Sequence, residues 1–512
     1  MNSTKLKFLK KQIDMIRIRQ IFILFFIVQI SSLKAQSLSL NKNQMLQDFD
    51  QAVNHINTFA VHKDLNAIRL KINYVKEYKK LRNEINEGTN PCEFRKILGR
   101  AIGLVQDAHA TFMGSGYLSA YGKYQKKINF KDTQTYERVK YYEDQCDLPQ
   151  PNLKLPLVYL KGKYFVYSDF KYKGTIIKRE TEVTTYNGKK ISEYIKENYD
   201  KIGVIRWDEK LNSPYRDDFY RKGDDKFTLG FNDLENPNLT FSLSDTITFQ
   251  TPKQRDVYFG SQTKKQVMYF KKSKMLYVGI PFMDAELGKS IVRDIDSIVA
   301  KGNTFSKIVL DIRGNPGGDD NCYRTVLQHL ISKEIPFSST LKFKYNNAAI
   351  NFYADGQKNI VEEKSKLLNN SKYWTKEFDI NKIEPDSNSI GYAGKIYVLQ
   401  DEFIFSSASN LSNLCLNSSQ LISVGVTTDL VGGRQTEPLF IQLDNSGLVF
   451  RVEPLLDFSG VKTLNDFYHN RVEVRITPTV NDYFIRTTYE GDIYGSKFLL
   501  SQDRLIKYIL ND

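Results

Sequence analysis

The strongest constraint on the fold of this 512-residue chain is an alternation of apolar strands and amphipathic helices that begins at residue 275. Four short stretches have the apolar, β-branched character of buried strands, namely 275–280, 308–312, 396–399 and 421–425. Apolar residues at helical spacing separate them, and a further helix is predicted to begin near Ser406. Strand–helix alternation forms βαβ units around a largely parallel sheet. The sequence therefore predicts an α/β core over residues 265–512, interrupted by a polar insertion at roughly 335–390.

Two polar loops leave the carboxyl ends of predicted strands in this core. Residues 311–319 read Asp-Ile-Arg-Gly-Asn-Pro-Gly-Gly-Asp, and residues 401–410 read Asp-Glu-Phe-Ile-Phe-Ser-Ser-Ala-Ser-Asn. Ligands of open α/β sheets bind at this edge. A glycine pair exposes backbone N–H groups, and a serine at a helix N-terminus has an amide that can stabilise an oxyanion. Taken singly, the glycine loop is equally consistent with a tight turn and matches no nucleotide-binding motif, and the serine loop is more typical of a helix N-cap.

Together, the two loops resemble the tail-specific (C-terminal-processing) serine peptidase family. The resemblance covers residues 275–512, and 476–480 resembles the family's closing Pro-containing strand. It implies a crotonase-like α/β core that cleaves a peptide or protein substrate without a metal or cofactor. It also implies that Ser406 is the nucleophile, with Ser407 as the alternative. The backbone N–H groups of Gly317 or Gly318 and of Ser407 would form the oxyanion hole.

The general base divides this family into two branches. Processing peptidases use a Lys about 25 residues after the nucleophile, but that position is Val431, and no Lys lies between Ser406 and Lys462. The tricorn-like branch instead uses a His from an N-terminal segment. Residues 107–111, Asp-Ala-His-Ala-Thr, resemble the Asp-Gly-His-Thr element of that branch. The resemblance therefore implies that His109 is the base.

A carboxylate late in the chain is implied as the group that orients the histidine. Glu473 is the first choice, because it lies close to the tricorn-like position, and Glu453 and Glu437 are alternatives. The function implied is serine-type peptide hydrolysis. The competing hypothesis is a catalytically inactive relative that binds peptides or polysaccharide.

Two further regions precede the core. Residues 36–147 are predicted to form a helical domain whose last helix stops near Asp107, so that His109 follows a helix C-terminus. Residues 157–260 alternate as strands do, with a tight-turn signal at Asn187-Gly188. Because 182–191 resembles a run in the family's PDZ-like modules, this block is predicted to be a β-rich PDZ-like module.

The first 35 residues are predicted to be a secretory signal peptide. Arg17 and Arg19 precede an apolar stretch at 21–30, and the small residue Ala35 follows. An N-terminal membrane anchor is the alternative, although ten residues are few for a bilayer span. We therefore expect an exported protein, periplasmic or extracellular.

Charge and cysteine content exclude other classes of function. Lys and Arg number 73 against 59 Asp and Glu, a net charge of +14, but no long basic run marks a nucleic-acid surface. The four cysteines contain no Cys-x-x-Cys pair, so neither a zinc site nor a redox motif is predicted. A Cys92–Cys146 disulfide is compatible with the sequence, but four buried thiols are the favoured expectation. The sequence specifies no oligomeric state.

Overall fold

The structure is a computed structural model of the chain. It describes residues 40–121, 126–128, 130, 135–146, 152–250, 265–337, 339–353, 360–377, 381–427, 438–467 and 472–512. The predicted signal peptide, and Glu437 and Val431, lie outside the described residues. Within the described ranges, no helix combines the length and the apolarity needed to cross a bilayer.

The N-terminal part is helical, as predicted. Its elements are α1 (Lys42–Phe59), α2 (Val61–Arg69), α3 (Tyr74–Asn83), α4 (Pro91–Gly103), β1 (Thr111–Phe112), α5 (Ser115–Tyr121), β2 (Lys126–Ile128) and α6 (Thr135–Cys146). Helix α4 begins at a capping box of Asn90 and Glu93, with Pro91 in its first turn. It ends at Gly103, four residues earlier than predicted. The segment from Gln106 to Ala110 therefore forms a loop before β1.

A disulfide joins the start of α4 to the end of α6. Cys92 and Cys146 are bonded with their Cα atoms 5.1 Å apart, so the favoured expectation of four thiols is wrong for this pair. Cys322 and Cys415 are buried free thiols. Spacing alone did not predict the bond, because 54 residues separate the two cysteines and only helix packing brings them together.

The middle part is rich in antiparallel strands. Its elements are β3 (Leu157–Leu160), β4 (Lys163–Val166), β5 (Phe170–Tyr172), β6 (Thr175–Ile177), β7 (Glu182–Tyr186), β8 (Lys189–Lys190), α7 (Ile191–Glu197), β9 (Arg206–Asp208), β10 (Ser213–Tyr215), β11 (Lys226–Phe231), β12 (Asn238–Ser242) and β13 (Thr248–Phe249). The main sheet has the order β12-β11-β7-β4-β3, with β8 beside β7. Asn187 and Gly188 both have positive φ in the β7–β8 turn, as their sequence predicts. The PDZ-like assignment stays a prediction.

The C-terminal part contains the predicted α/β core. Its elements are β14 (Gln266–Phe270), β15 (Met275–Gly279), α8 (Ala285–Val299), β16 (Lys307–Asp311), α9 (Asn321–Leu330), β17 (Ile335–Phe337), β18 (Thr340–Lys344), α10 (Asn347–Tyr353), β19 (Ile360–Ser365), β20 (Ser371–Glu377), β21 (Asn381–Ile383), β22 (Ile396–Gln400), α11 (Ser407–Leu414), β23 (Leu421–Gly425), β24 (Leu439–Gln442), β25 (Val449–Val452), β26 (Leu456–Asp457), β27 (Val474–Arg475), α12 (Val480–Thr488), α13 (Ser496–Ser501) and α14 (Arg504–Asn511).

The central sheet of this core has the order β14-β15-β16-β22-β23-β27. Only the β14–β15 pair is antiparallel, and the other four pairs are parallel. Leu310 and Val398 point to the face covered by α8, α9 and α11, whereas Val309 and Leu399 point to the face covered by α13 and α14. Both faces are buried, which explains why these strands are continuous apolar runs. The expected strand at 476–480 is absent, because β27 ends at Arg475 and α12 begins at Val480.

A second sheet attaches the N-terminal part to the core. Its order is β1-β25-β24-β2, and β1 pairs with β25 through Thr111 opposite Arg451. The largest hydrophobic cluster extends from the N-terminal helices through the β-rich part to β18, β24 and β25. It therefore crosses the boundaries predicted for 36–147 and 157–260, whose assignment as domains stays a prediction. The molecule has a mixed α/β fold, and the crotonase-like description of its core also stays a prediction.

Candidate active site

Ser406 lies between the carboxyl end of β22 and the first residue of α11. Its backbone has φ 53° and ψ −125°, a region that a non-glycine residue rarely adopts. Such a conformation costs about 1–3 kcal/mol and persists only where the surroundings impose it. Ser406 is partly exposed, whereas the Ser407 side chain is buried. The strained turn therefore presents Ser406, the predicted nucleophile, at the carboxyl edge of the parallel sheet.

Asn315 ties the glycine loop to the serine loop. Its backbone carbonyl accepts the Phe405 N–H at 3.0 Å, and its side-chain Oδ1 accepts the Gly317 N–H at 2.8 Å. A Cβ atom at Gly317 would lie 2.6 Å from the Ser406 Cβ. Glycine is therefore required at 317 by close approach, and the two predicted loops are in direct contact.

Two backbone amides in the loops that meet at Ser406 have no acceptor among the described residues. Within the part of the chain that the structure describes, neither the Gly318 N–H nor the Ser407 N–H donates a hydrogen bond. Met283 secures Gly318 on both sides, since its N–H donates to the Gly317 carbonyl at 2.9 Å and its carbonyl accepts the Asp319 N–H at 2.8 Å. The Ser407 amide lies at a helix N-terminus, where partial positive charge accumulates. The N–H groups of Gly318 and Ser407 could therefore donate to an oxyanion. The Gly317 N–H could not, because it already donates to Asn315 Oδ1.

His109 reaches the core because β1 pairs with β25. Arg451 on β25 donates from Nε to the His109 carbonyl at 2.8 Å. The imidazole is buried, and its ring centroid lies 4.5 Å from that of Phe405, the residue before Ser406. Tertiary packing thus brings the predicted base into contact with the residue before the predicted nucleophile, although 297 positions of sequence separate His109 from Ser406.

Burial controls the protonation of His109. It lowers the pKa of this imidazole to about 3, and the positive charge of Arg451 acts in the same direction, while Asp107 opposes the shift. His109 is therefore neutral at physiological pH. A neutral imidazole is the form that can accept a proton from a serine.

Asp107 is the carboxylate that contacts His109. Asp107 is buried, and its Oδ1 accepts the backbone N–H of His109 at 2.9 Å. The same oxygen lies 3.9 Å from Nδ1 of the His109 ring. Its Oδ2 lies 3.7 Å from Nδ1 of a second buried histidine, His62. In the sequence, Asp107 stands out only as part of the His109 motif, and no pattern marks His62. The Asp-x-His spacing, which is typical of a side chain that bonds the backbone two residues later, was the available signal for Asp107.

The late carboxylates Glu473 and Glu453 have other contacts, and Glu437 lies outside the described residues. Glu473 accepts both the backbone N–H and the hydroxyl of Ser423, at 2.5 and 2.7 Å, and so joins β27 to β23. Glu453 is buried, and its backbone lies beside His62. Among the described side chains, no cluster of His, Cys, Asp or Glu is arranged to hold a metal ion.

Comparison with known proteins identifies the core. Residues 274–476 match the model described as peptidase family S41. No curated protein is significantly similar in sequence. The fold is similar to that of mature CPAF, at 12% identity over 92% of this chain and 99% of that chain, with a TM-score of 0.50. Mature CPAF complexed with lactacystin is 14% identical over 93% of this chain and 100% of that chain, with a TM-score of 0.51.

The photosystem II D1 C-terminal processing protease is 12% identical over 87% of this chain and 96% of that chain, with a TM-score of 0.37. Identities this low show the fold alone. Residues 274–476, which include the two loops that meet at Ser406, match peptidase family S41, the tail-specific peptidases, and the protein is a serine peptidase.

Proposed function

We propose that this serine peptidase cleaves peptide bonds with Ser406 as nucleophile and His109 as general base. The observation that carries the proposal is the meeting of three features at one turn. They are the strained backbone of Ser406, the unoccupied amides of Gly318 and Ser407, and the neutral His109 ring against Phe405. Each feature supplies one requirement of acyl transfer, namely an exposed nucleophile, an oxyanion site and a base.

The first step forms an acyl-enzyme. Ser406 Oγ attacks the carbonyl carbon of the scissile peptide bond while His109 takes the hydroxyl proton, which leaves a negatively charged tetrahedral oxygen. The C–N bond then breaks, and the imidazolium returns the proton to the leaving amine. In the second step, water loses a proton to His109 and attacks the ester carbonyl. The ester C–O bond then breaks, the imidazolium returns the proton to Ser406 Oγ, and the products are a carboxylic acid and free Ser406.

The Gly318 and Ser407 amides would stabilise the tetrahedral oxygen. Because Asn315 holds the Gly317 amide, we assign the glycine contribution to Gly318. Loss of a single oxyanion donor typically costs about 3–4 kcal/mol of transition-state stabilisation. Gly317 then serves a different purpose: its lack of a side chain allows Ser406 to approach the loop.

Asp107 is the best-supported orienting group for His109. It contacts the His109 backbone and lies nearest to Nδ1, whereas Glu473 is engaged by Ser423. A buried carboxylate beside the imidazole would stabilise the imidazolium formed after proton transfer. We therefore assign the orienting role to Asp107 in place of Glu473.

Export of the protein is supported by two features. The first 35 residues have the basic, apolar and small-residue order of a signal peptide. The Cys92–Cys146 disulfide fits an oxidising compartment, where such bonds persist. We therefore propose a periplasmic or extracellular location, with a peptide or protein as the substrate.

The test is labelling by a fluorophosphonate, which reacts with an activated serine. We expect the purified protein to be labelled at Ser406 and to hydrolyse a peptide library. Ser406→Ala should lose both properties with unchanged thermal unfolding, because one partly exposed oxygen is removed. Ser407→Ala is the matched control and should keep labelling, since only its backbone N–H is used. The reverse pattern would move the nucleophile to Ser407, and no labelling of the wild type would favour an inactive peptide-binding relative.

A further inference from the structure

A second histidine lies buried behind the candidate base. His62 is in the first turn of α2, with no exposed surface. Its Nδ1 lies 3.7 Å from Asp107 Oδ2, and its ring faces the Glu453 backbone. Burial lowers the pKa of His62, although Asp107 and the Glu453 backbone oppose the shift. His62 is therefore a neutral imidazole that lies near Oδ2 of Asp107, whereas His109 contacts Oδ1 of the same carboxylate.

Helix α2 holds the His109 loop at a second point, one turn later. Asn66, four residues after His62 on the same helix face, donates from Nδ2 to the Val105 carbonyl at 2.8 Å and to the Gln106 carbonyl at 3.1 Å. Asn66 therefore sets the position of the loop backbone, and His62 meets the Asp107 side chain that emerges from it. The two contacts are independent, because one involves carbonyl oxygens and the other a carboxylate.

We propose that His62 is a positioning residue of the peptidase site, which acts on His109 through Asp107. This inference rests on the proposed function. A buried carboxylate is stable only when its oxygens have donors or opposite charge. Asp107 Oδ1 accepts the backbone N–H of His109. If the neutral His62 ring donated its Nδ1–H to Oδ2, the plane of the Asp107 carboxylate would be fixed. With that plane fixed, Oδ1 stays directed at His109 Nδ1, and the imidazole keeps the orientation and tautomer that the reaction needs.

His62 takes no proton and touches no reacting atom in this arrangement. The distances of 3.7 Å from His62 to Asp107 and 3.9 Å from Asp107 to His109 are longer than hydrogen bonds. Catalytic contacts of this kind commonly shorten only when substrate is bound. The effect of His62 should therefore appear in kcat and not in KM.

A double-mutant cycle with Asp107 tests the inference. Rates are expressed per fluorophosphonate-labelled Ser406, so that misfolded protein does not count. We expect His62→Phe to lower kcat about 10-fold or more at unchanged KM, because Asp107 would lose the group that orients it toward His109. In an Asp107→Asn background, which keeps the Oδ1 acceptor, the same change should lower kcat less than about 2-fold, because the group through which His62 acts is altered. His62→Leu replaces His62→Phe in the cycle if the larger ring prevents folding.

Rescue and a matched control separate positioning from general destabilisation. His62→Gln restores an N–H donor and should return kcat to within about 3-fold of wild type. His329 is also buried, with Asp296 3.0 Å and Asp386 3.7 Å away, but it lies on α9 outside the site. His329→Phe should therefore change the melting temperature and leave kcat per labelled serine unchanged.

Three results would overturn the inference. They are equal losses of kcat in both Asp107 backgrounds, an effect confined to KM, and a loss of kcat in His329→Phe as large as that in His62→Phe. Each of these leaves the labelling of Ser406 intact, so the proposed function would survive. Failure of the wild-type protein to label would instead overturn the proposed function, and this inference with it.

Discussion

At the scale of single residues, the site depends on backbone geometry that few sequences tolerate. Ser406 has a positive φ although it is not glycine, and Gly317 combines φ 93° with a close approach to the Ser406 Cβ. The Asn315 side chain accepts the Gly317 N–H, and its backbone carbonyl accepts the N–H of Phe405, the residue before Ser406. These contacts between the two loops hold the turn in a conformation that isolated residues would not adopt.

The residue-scale prediction concerns the pH dependence of peptide hydrolysis. An exposed histidine has a pKa of about 6.5, and the sequence alone would place the acid limb of activity there. Burial lowers the pKa of His109 to about 3, so the active neutral form persists to lower pH. We expect kcat/KM to remain above half of its pH 7 value at pH 5.5, measured where circular dichroism shows folded protein. A midpoint at 6.5 or higher would contradict a buried base, and one well above 8 would indicate a lysine.

At the scale of elements, the His109 loop lies between two helices that are covalently linked. Helix α4 leads into the loop, and α6 follows it in the sequence, with Cys92 and Cys146 bonding the two. A similar buried link holds the glycine loop, where Arg313 binds Asp311 through Nη2 and Asp503 through Nη1, each at 2.6 Å. Asp503 also caps α14. The His109 loop and the glycine loop are thus both flanked by links between elements that are distant in sequence.

The element-scale prediction concerns the disulfide. Closing a loop of 54 residues stabilises the fold by up to about 4 kcal/mol in the chain-entropy model. We expect the Cys92→Ser, Cys146→Ser double variant to have a lower melting temperature than wild type, measured by circular dichroism. Reductant should lower the melting temperature of the wild type toward that of the variant. As the control, reductant should leave the double variant unchanged, because Cys322 and Cys415 are free thiols. An equal effect of reductant on both proteins would contradict the bond.

At the scale of the whole molecule, the β-rich part contacts the loop that carries His109 and the loop that carries Ser406. The Gln106 side chain donates to the carbonyls of Tyr199 and Gly203 and accepts the Ile205 N–H. Arg206 donates to the Glu402 carbonyl, four residues before Ser406. The position of His109 relative to Ser406 is therefore set by three parts of the chain and not by the core alone.

The molecular-scale prediction concerns Asp217, which lies at this junction. Burial raises its pKa to about 7, Glu402 adds to the shift, and Arg206 opposes it. Because the pKa of Asp217 is about 7 in the folded state and 3.8 as a model value, folding favours its neutral form. The contribution of this group to the free energy of unfolding is therefore greatest below about pH 4 and is lost as pH rises through 7. Asp217→Asn, which keeps an acceptor for the Tyr159 N–H, should therefore stabilise the protein at pH 8 by up to about 4 kcal/mol and much less at pH 5. Urea unfolding at the two pH values measures the difference.

Asp218 provides the matched control for Asp217. Although burial opposes the shift, Arg216 lowers the pKa of Asp218, and Arg216 Nε lies 2.5 Å from its Oδ1. Asp218→Asn should therefore destabilise the protein at pH 8, opposite in sign to Asp217→Asn. A pH-independent effect of Asp217→Asn would show that its carboxyl is ionised in the folded state at both pH values.

Features that depend on neighbouring residues could be predicted from the amino-acid sequence. The four core strands appear within about two residues of their predicted bounds, and both loops lie at the sheet edge where their motifs predicted them. Apolar periodicity and turn residues act over a few positions, so they can be read without the rest of the chain. The family resemblance drawn from the two loops is confirmed by the match over 274–476.

Contacts between residues that are distant in sequence become visible only in the folded chain. The pairing of β1 with β25 brings His109 to Phe405, and helix packing brings His62 to Asp107 and Cys92 to Cys146. The contact of Glu473 with Ser423 on the neighbouring strand is likewise visible only in the folded structure, and the role that the family resemblance implied for Glu473 stays a prediction. Local patterns cannot specify these partners, because contacts across tens to hundreds of residues result from the packing of whole elements. The same packing buries His109 and so determines the charge of the proposed base.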